Sequence, residues 1–330
     1  MISRLPGALQ SALLAAMLAA SNAASTSEEP VSVIRTGLPH DALYDVVFAG
    51  DQGYAVGAHG HLLVSEDGGT LWSDADTAVD VAMLGAAAAA ERLILAGQQG
   101  KILAGTSAQT LALVESPTSE RLLSVALHES GLAVAVGGFG TVLISEDAGA
   151  TWRQEFLDWM EFHPEGLEAH LYDISISESG DILICGEFAM ILASTDRGKT
   201  WDVRHSGDAS LMGIHIDKSG VGLAVGQDGT ILRTTDNGAT WQAVETESTA
   251  NLLDVWLSPE GEAVAIGIRS LMRSSDMGQS WTIAKDRSID RTWYSALASG
   301  VVKEDNENGS LSMQTVYAVG QFGNIVTINE

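Results

Sequence analysis

Gly226-Gln227-Asp228-Gly229-Thr230-Ile231-Leu232-Arg233-Thr234-Thr235-Asp236-Asn237-Gly238-Ala239-Thr240-Trp241 decides the fold, because versions of it recur along almost the whole chain. It reads as a turn, an apolar strand, a second turn and a tryptophan. The second turn returns as Ser65-Glu66-Asp67-Gly68-Gly69-Thr70-Leu71-Trp72, and again as Ser145 to Trp152, Ser194 to Trp201 and Ser274 to Trp281. The spacing Ser/Thr-x-Asp-x-Gly-x-x-Trp holds in all five copies. Upstream of each apolar run stands an apolar residue followed by glycine: Val56-Gly57, Ala96-Gly97, Val136-Gly137, Cys185-Gly186, Val225-Gly226, Ile266-Gly267 and Val319-Gly320. These pairs mark seven units at intervals of 40 to 53 residues, most of them in the range of propeller blades.

The chemistry of one unit is readable. An Asp side chain is expected to accept from a backbone N–H two residues on and close a turn. The Gly that follows takes positive φ without steric strain. The Trp suits a wedge between neighbouring sheets, with one N–H to satisfy. Five identical turns are frame elements, not five catalytic sites. Short apolar and β-branched runs between Gly and Asp turns are strand signatures. In the fifth unit they give strand A at Leu211–Ile216, B at Gly222–Val225, C at Ile231–Thr234 and D at Trp241–Val244. Strand A recurs as Leu43-Tyr44-Asp45-Val46, Leu122-Leu123-Ser124-Val125, Leu171-Tyr172-Asp173-Ile174, Leu252-Leu253-Asp254-Val255 and Trp293-Tyr294-Ser295-Ala296. The expectation is an all-β chain, a seven-bladed β-propeller of four-stranded antiparallel blades.

Gly226 to Trp241 resembles the repeat of the photosystem II assembly and stability factors. The Asp turn taken alone is similar to the Asp-box of sialidases and other BNR-repeat proteins. The resemblance covers nearly everything after residue 40. It implies a seven-bladed propeller and a role in assembling a membrane-protein client. It also implies a basic patch that touches the client.

Residues 1–23 read as a secretory signal peptide. Arg4 precedes an apolar core from Ala8 to Ala20, and Ser21-Asn22-Ala23 offers small residues for cleavage. The core is shorter than the roughly 20 apolar residues of a spanning helix, so the chain is expected to be exported to the periplasm and not itself transmembrane. Residues 24–30 read as a mobile leader, and 31–330 as a single propeller. Val31-Ser32-Val33-Ile34-Arg35 reads as an isolated strand, while the last unit stops at Ile325-Val326-Thr327-Ile328 without a Trp strand. The N-terminal strand is expected to supply that missing edge and close the ring, which removes exposed strand edges. The single cysteine, Cys185, excludes an internal disulfide and sits where other units have Val, Ile or Ala. It reads as a small buried apolar residue.

Some units depart from the pattern. Unit two has Ser107-Ala108-Gln109-Thr110-Leu111 in place of the Asp turn and Trp. Ala86 to Ala90 aligns with strand A and is read as strand, not helix. Residues 299–314, with Lys303-Glu304-Asp305-Asn306-Glu307-Asn308-Gly309-Ser310, have the composition of a solvated loop. A long insertion between Trp152 and Leu171 carries Phe156, Trp159, Met160 and Phe162.

In a four-stranded blade the B–C turns and the D-to-A connections emerge on one face of the ring. The insertion therefore shares a face with Ala58-His59, Gln98-Gln99, Gly138-Phe139, Glu187-Phe188, Gln227-Asp228, Ile268-Arg269 and Gln321-Phe322. Grouped exposed aromatics suggest an interaction surface. The candidate partner-binding residues are Trp159, Phe162, His163, Phe139, Phe188, Phe322 and Arg269. The competing reading is that the insertion folds over the ring and its aromatics pack on each other. Strand A lines the channel, where Asp45, Asp173 and Asp254 with Ser124 and Ser295 are expected to form a polar wall of solvated carboxylates. No metal or cofactor is expected there, since a hard cation asks for more converging oxygens.

With 17 Lys and Arg against 43 Asp and Glu, the net charge of −26 argues against nucleic acid, whose phosphates demand cations. The first reading is a non-catalytic, monomeric scaffold for a membrane or envelope protein. The alternative is an Asp-box glycoside hydrolase. A sialidase, however, needs clustered arginines and a Tyr nucleophile, and no arginine-bearing sialidase motif precedes the first unit.

Overall fold

The computed structural model describes residues 29–89, 91–306 and 309–329. The expected signal peptide and most of the leader lie outside the described residues. The rest forms seven four-stranded antiparallel sheets, numbered here as blades 1 to 7 in chain order with strands A to D. Blade 5 consists of Leu211–Ile216, Gly222–Gly226, Ile231–Thr234 and Gln242–Ala243. Blade 7 takes Tyr294–Asn306, Gly309–Gly320 and Ile325–Ile328 from the end of the chain and Val31–Arg35 from its start. The closing register is Val31↔Ile328, Ser32↔Thr327 and Val33↔Val326.

Strands B read as unbroken apolar runs because both of their faces are buried. Side chains alternate across a strand, so Leu223 and Val225 enter the interface with blade 6 while Ala224 enters the interface with blade 4. The molecule consequently has no single core. Seven apolar clusters fill the seven gaps between neighbouring blades. Each unit's Trp joins the cluster on the side of the preceding blade: Trp72, Trp152, Trp201, Trp241 and Trp281. Cys185 is fully buried in one of them, as expected, with its thiol 3.6 Å from the Leu211 carbonyl.

The Asp turns differ from the expectation in one respect. The carboxylate reaches four residues on, not two. In blade 5, Asp236 Oδ1 accepts from the Thr240 N–H at 2.9 Å and Oδ2 accepts from the Thr240 hydroxyl at 2.7 Å. The N–H two residues past Asp236, that of Gly238, is instead taken by the Thr234 hydroxyl at 3.0 Å. Two successive left-handed residues, Asn237 (φ 58°) and Gly238 (φ 78°), widen the loop enough to require the longer reach. The equivalent bonds in blade 6 hold the Asp276 carboxyl down at about 2, with the Ser280 hydroxyl the largest contributor.

Trp241 donates its indole N–H to the Gly238 carbonyl at 3.1 Å. The Trp201 indole N–H is buried without a partner. A satisfied donor is worth about 1 kcal/mol more than an orphaned one. Trp241→Phe is therefore expected to lower stability by about 1 kcal/mol more than Trp201→Phe, read from the denaturant midpoints of the two variants. Equal losses would show that the Trp241 bond contributes nothing net.

Two further differences concern blade 7. Residues 299–306 and 309–314 form no free loop. They continue strands A and B as a hairpin that stays in register to Asn306↔Gly309. Antiparallel backbones satisfy each other whatever the side chains, so polar composition did not stop the ladder. Strand A is also placed one residue away from its sequence alignment. Tyr294 pairs with Gly320 as Leu43 pairs with Gly57, and Ala296 pairs with Val319 as Asp45 pairs with Val56. Tyr294 thus fills the interblade core, only 2% exposed, in the place Leu43 holds elsewhere. Ser295 takes the place of Tyr44, and an alanine stands where an aspartate was expected to be matched by serine.

Candidate partner-binding face and channel

Every B–C turn begins at a glycine that closes strand B, and each places a non-glycine residue in the left-handed region. These are His59 (φ 54°), Gln99 (59°), Phe139 (51°), Phe188 (60°), Asp228 (55°), Arg269 (55°) and Phe322 (63°). A side chain held there costs about 1–2 kcal/mol, and such strain collects at functional positions. All except Phe188 are exposed. The ring of turns therefore presents one such side chain to solvent from each blade except blade 4, and its chemistry varies around the ring.

The insertion packs down onto the turns of blades 3 and 4. A single helical turn, α1 (Trp159–Phe162), is capped by Asp158, whose carboxylate accepts from Met160 N–H at 3.1 Å. Trp159 is 8% exposed, and its indole lies flat against Gly140, where a Cβ would overlap the ring. Phe162 meets Trp159 edge-on at 5.9 Å, and His163 lies 4.5 Å from the Phe188 ring. His170 Nδ1 accepts from the Phe139 backbone N–H at 3.1 Å, and the His170 backbone N–H donates to the Glu187 carboxylate at 2.8 Å.

The expectation that these aromatics face a partner is thus corrected at Trp159, which is a buried anchor. Phe162, His163 and Phe188 are half-buried around it. Phe139, Phe322 and Arg269 remain open to solvent, with Phe139 61% exposed. Three apolar residues outside the expected set are also exposed in the insertion: Phe156, Met160 and Leu167. Adjacent residues on a helix point about 100° apart, so on a single turn sequence could not say whether Trp159 or Met160 would be the anchor.

The channel is lined by Tyr44, Leu84, Leu123, Tyr172, Met212, Leu253 and Ser295 together with Asp45, Asp173 and Asp254, around a cavity of about 230 Å³. Trp293 stacks on the channel-lining Tyr44 at 6.3 Å. The expected wall of freely solvated carboxylates is replaced by bonds between blades. Asp45 accepts from Val46 N–H and from Ala86 N–H of the next blade, both at 2.7 Å. Asp173 accepts from the Ser124 hydroxyl of blade 3 and from Ile214 N–H of blade 5, each at 2.9 Å. Asp254 reaches Leu297 N–H of blade 7 at 2.6 Å. Burial lifts Asp45 to about 7 despite these bonds, and the Asp173 charge adds to the rise. Burial likewise lifts Asp173 to about 6 and Asp254 well above the usual carboxyl range. No group of side chains among the described residues has the geometry of a metal site.

No family model matches the chain, and no curated protein matches it in sequence. Among solved structures, YCF48 from Cyanidioschyzon merolae superposes with a TM-score of 0.70 at 16% identity, over 91% of this chain and 98% of that one. The fold is YCF48-like. YCF48 bound to a D1 peptide gives a TM-score of 0.69, again at 16% identity, over 92% of this chain and 98% of that one. A GH74 xyloglucanase from Xanthomonas campestris gives 0.67 at 15% identity, over 91% of this chain but 53% of that one. Likeness at these identities establishes the YCF48-like architecture alone, and no helix among the described residues is long and apolar enough to cross a membrane.

Proposed function

We propose that this protein is a non-catalytic, exported scaffold that binds a membrane or envelope protein through its B–C turn face. The observation that carries the reading is the ring of left-handed turn residues, which holds Phe139, Phe322 and Arg269 in solvent. Exposed aromatics and arginine fixed on rigid turns are the composition of binding hot spots. A structural neighbour with a peptide bound supports a binding role for the architecture. In this reading the chain acts as a monomer, since the outer edge strands of the blades, such as Gln242–Ala243 and Thr282–Ile283, are too short to recruit a second copy readily.

The test is crosslinked capture from an envelope fraction. Phe139→Ser, Phe322→Ser and Arg269→Ala combined are expected to reduce client recovery about tenfold or more. The same number of exposed substitutions on the Asp-turn face should leave it intact. Unchanged recovery from the first variant would overturn the reading.

A glycoside-hydrolase role has one observation in its favour. Burial raises channel carboxyls into the range where a general acid works near neutral pH. The same carboxylates are committed to bonds between blades, which leaves the scaffold as the better account. Turnover of xyloglucan or aryl glycosides by the purified protein, abolished by Asp45→Asn or Asp173→Asn, would reverse that preference.

A further inference from the structure

The exposed large apolar residues are mostly scattered singly, which needs no explanation. The exception is the insertion over blades 3 and 4. Phe156 is 83% exposed, Met160 68% and Leu167 45%, and Phe139, on the blade 3 turn that the insertion covers, 61%. Their proximity follows from the contacts beneath. The Met160 sulfur lies over Gly166, next to Leu167. Gly140 N–H donates to the Ala169 carbonyl at 2.9 Å, which draws Phe139 to the same side. Phe156 follows Glu155, which pairs with Val142 just past that turn.

The rim of this patch is acidic. Asp158, Glu161, Glu165 and Glu168 are all exposed. None of the four takes part in an ion pair among the described residues, whereas the insertion's arginine, Arg153, is already paired with Glu155. Buried anchors hold the arrangement in place: Trp159 is wedged against Gly140, and Asp158 caps α1. The patch is therefore a preformed apolar surface ringed by uncompensated negative charge.

We propose that the insertion is the docking site for a basic amphipathic segment of the client, one that presents two or three large apolar side chains flanked by lysine or arginine. This rests on the reading of the B–C face as the client-binding face and names the chemistry recognised there. Apolar contacts supply affinity, and the acidic rim selects the charge of the partner and speeds encounter. It also assigns the basic side of the contact to the client and the acidic side to this chain.

The test uses two labelled synthetic peptides with the same three leucines, flanked in one by lysines and in the other by glutamates. Binding is read by fluorescence anisotropy with the whole mature chain. At about 50 mM salt the lysine peptide is expected to bind at least tenfold more tightly than its twin, and to weaken towards about 300 mM as screening shortens. Glu161→Gln with Glu165→Gln and Glu168→Gln should lose about tenfold and flatten the salt dependence. Phe156→Ser with Met160→Ser should lose about tenfold at both salts. A control on the other face, Glu66→Gln with Glu129→Gln and Glu146→Gln, should change nothing.

Equal losses in the two charge variants would mean that net charge alone attracts the peptide, and would overturn the proposal. Equal binding of the two peptides would overturn it as well. The broader reading fails separately: if envelope capture persists in the insertion variants and is lost with Phe139, Phe322 and Arg269, the face stands and the docking site falls. Retention of the native circular dichroism spectrum excludes misfolding, because all the substituted side chains, those of the control included, are exposed.

Discussion

Gly226→Ala is expected to leave the chain unable to form a stable propeller. The residue ends strand B of blade 5 in extended backbone, φ −169° and ψ −148°, which any residue adopts. Its side-chain position is the obstacle. A Cβ there would overlap the Ser210 carbonyl oxygen and stand 2.9 Å from Leu211 Cα. That carbonyl cannot withdraw, since it accepts from Gln227 N–H at 2.9 Å and so fixes the start of strand A. The same close approach recurs at Gly57, Gly97, Gly137, Gly186, Gly267 and Gly320, each against the carbonyl of the residue before strand A. Forcing backbone apart at such a point is among the few mechanisms that remove more than about 4 kcal/mol. Gly50→Ala is the contrast. Its φ is +61° but nothing lies within 4 Å, so only conformational strain of about 1–2 kcal/mol is expected. Thermal unfolding and soluble yield of the two variants decide the matter. If Gly226→Ala loses no more stability than Gly50→Ala, steric approach is not what requires the glycine.

The second large effect is a stability that falls as pH rises from about 4 to about 8. Asp45 titrates at about 7 in the folded protein against 3.8 for an ordinary aspartate. Below pH 4 the group is protonated in both states and contributes nothing to the difference. Between the two values the folded chain binds the proton and the unfolded chain does not, so folding is favoured by acid. Above about 7 both are ionised, and the full penalty of a buried charge is felt, at most about 4 kcal/mol for this one group. Asp173 and Asp254 act in the same direction. The Asp-turn carboxylates act in the opposite direction, but only below pH 4, because their values are lowered. Denaturant midpoints at pH 5 and pH 8 should therefore differ clearly for the native chain and less for Asp45→Asn. Asparagine loses one of the two backbone bonds at every pH, which lowers both midpoints without adding slope. An unchanged difference between the two pH values would show that Asp45 is ionised throughout.

The same aspartates show where sequence reasoning stops. Their recurrence at one strand position was legible, and so was their location in the channel. Their partners were not, because Ala86, Ile214 and Leu297 belong to neighbouring blades some 41 to 43 residues away. A backbone N–H carries no sequence signal of its own. The one-residue displacement in blade 7 has a similar origin. Trp293-Tyr294-Ser295 can be aligned in two ways, and only the space left between blades 7 and 6 chooses Tyr294 as the core residue.

Seven blades, most of their strands outside blade 7, the Trp wedges and closure by Val31–Arg35 were determined by the sequence alone. Each answers a local demand that repeats: a carbonyl too close for a Cβ, a turn of left-handed residues, a strand buried on both faces. The tertiary structure alone decided which aromatics meet solvent. Trp159 is buried because Gly140 leaves room for an indole, and Met160 is exposed because the neighbouring position of α1 points away. Burial is a property of what lies opposite a side chain, and for an insertion that occurs once no repeat announces it.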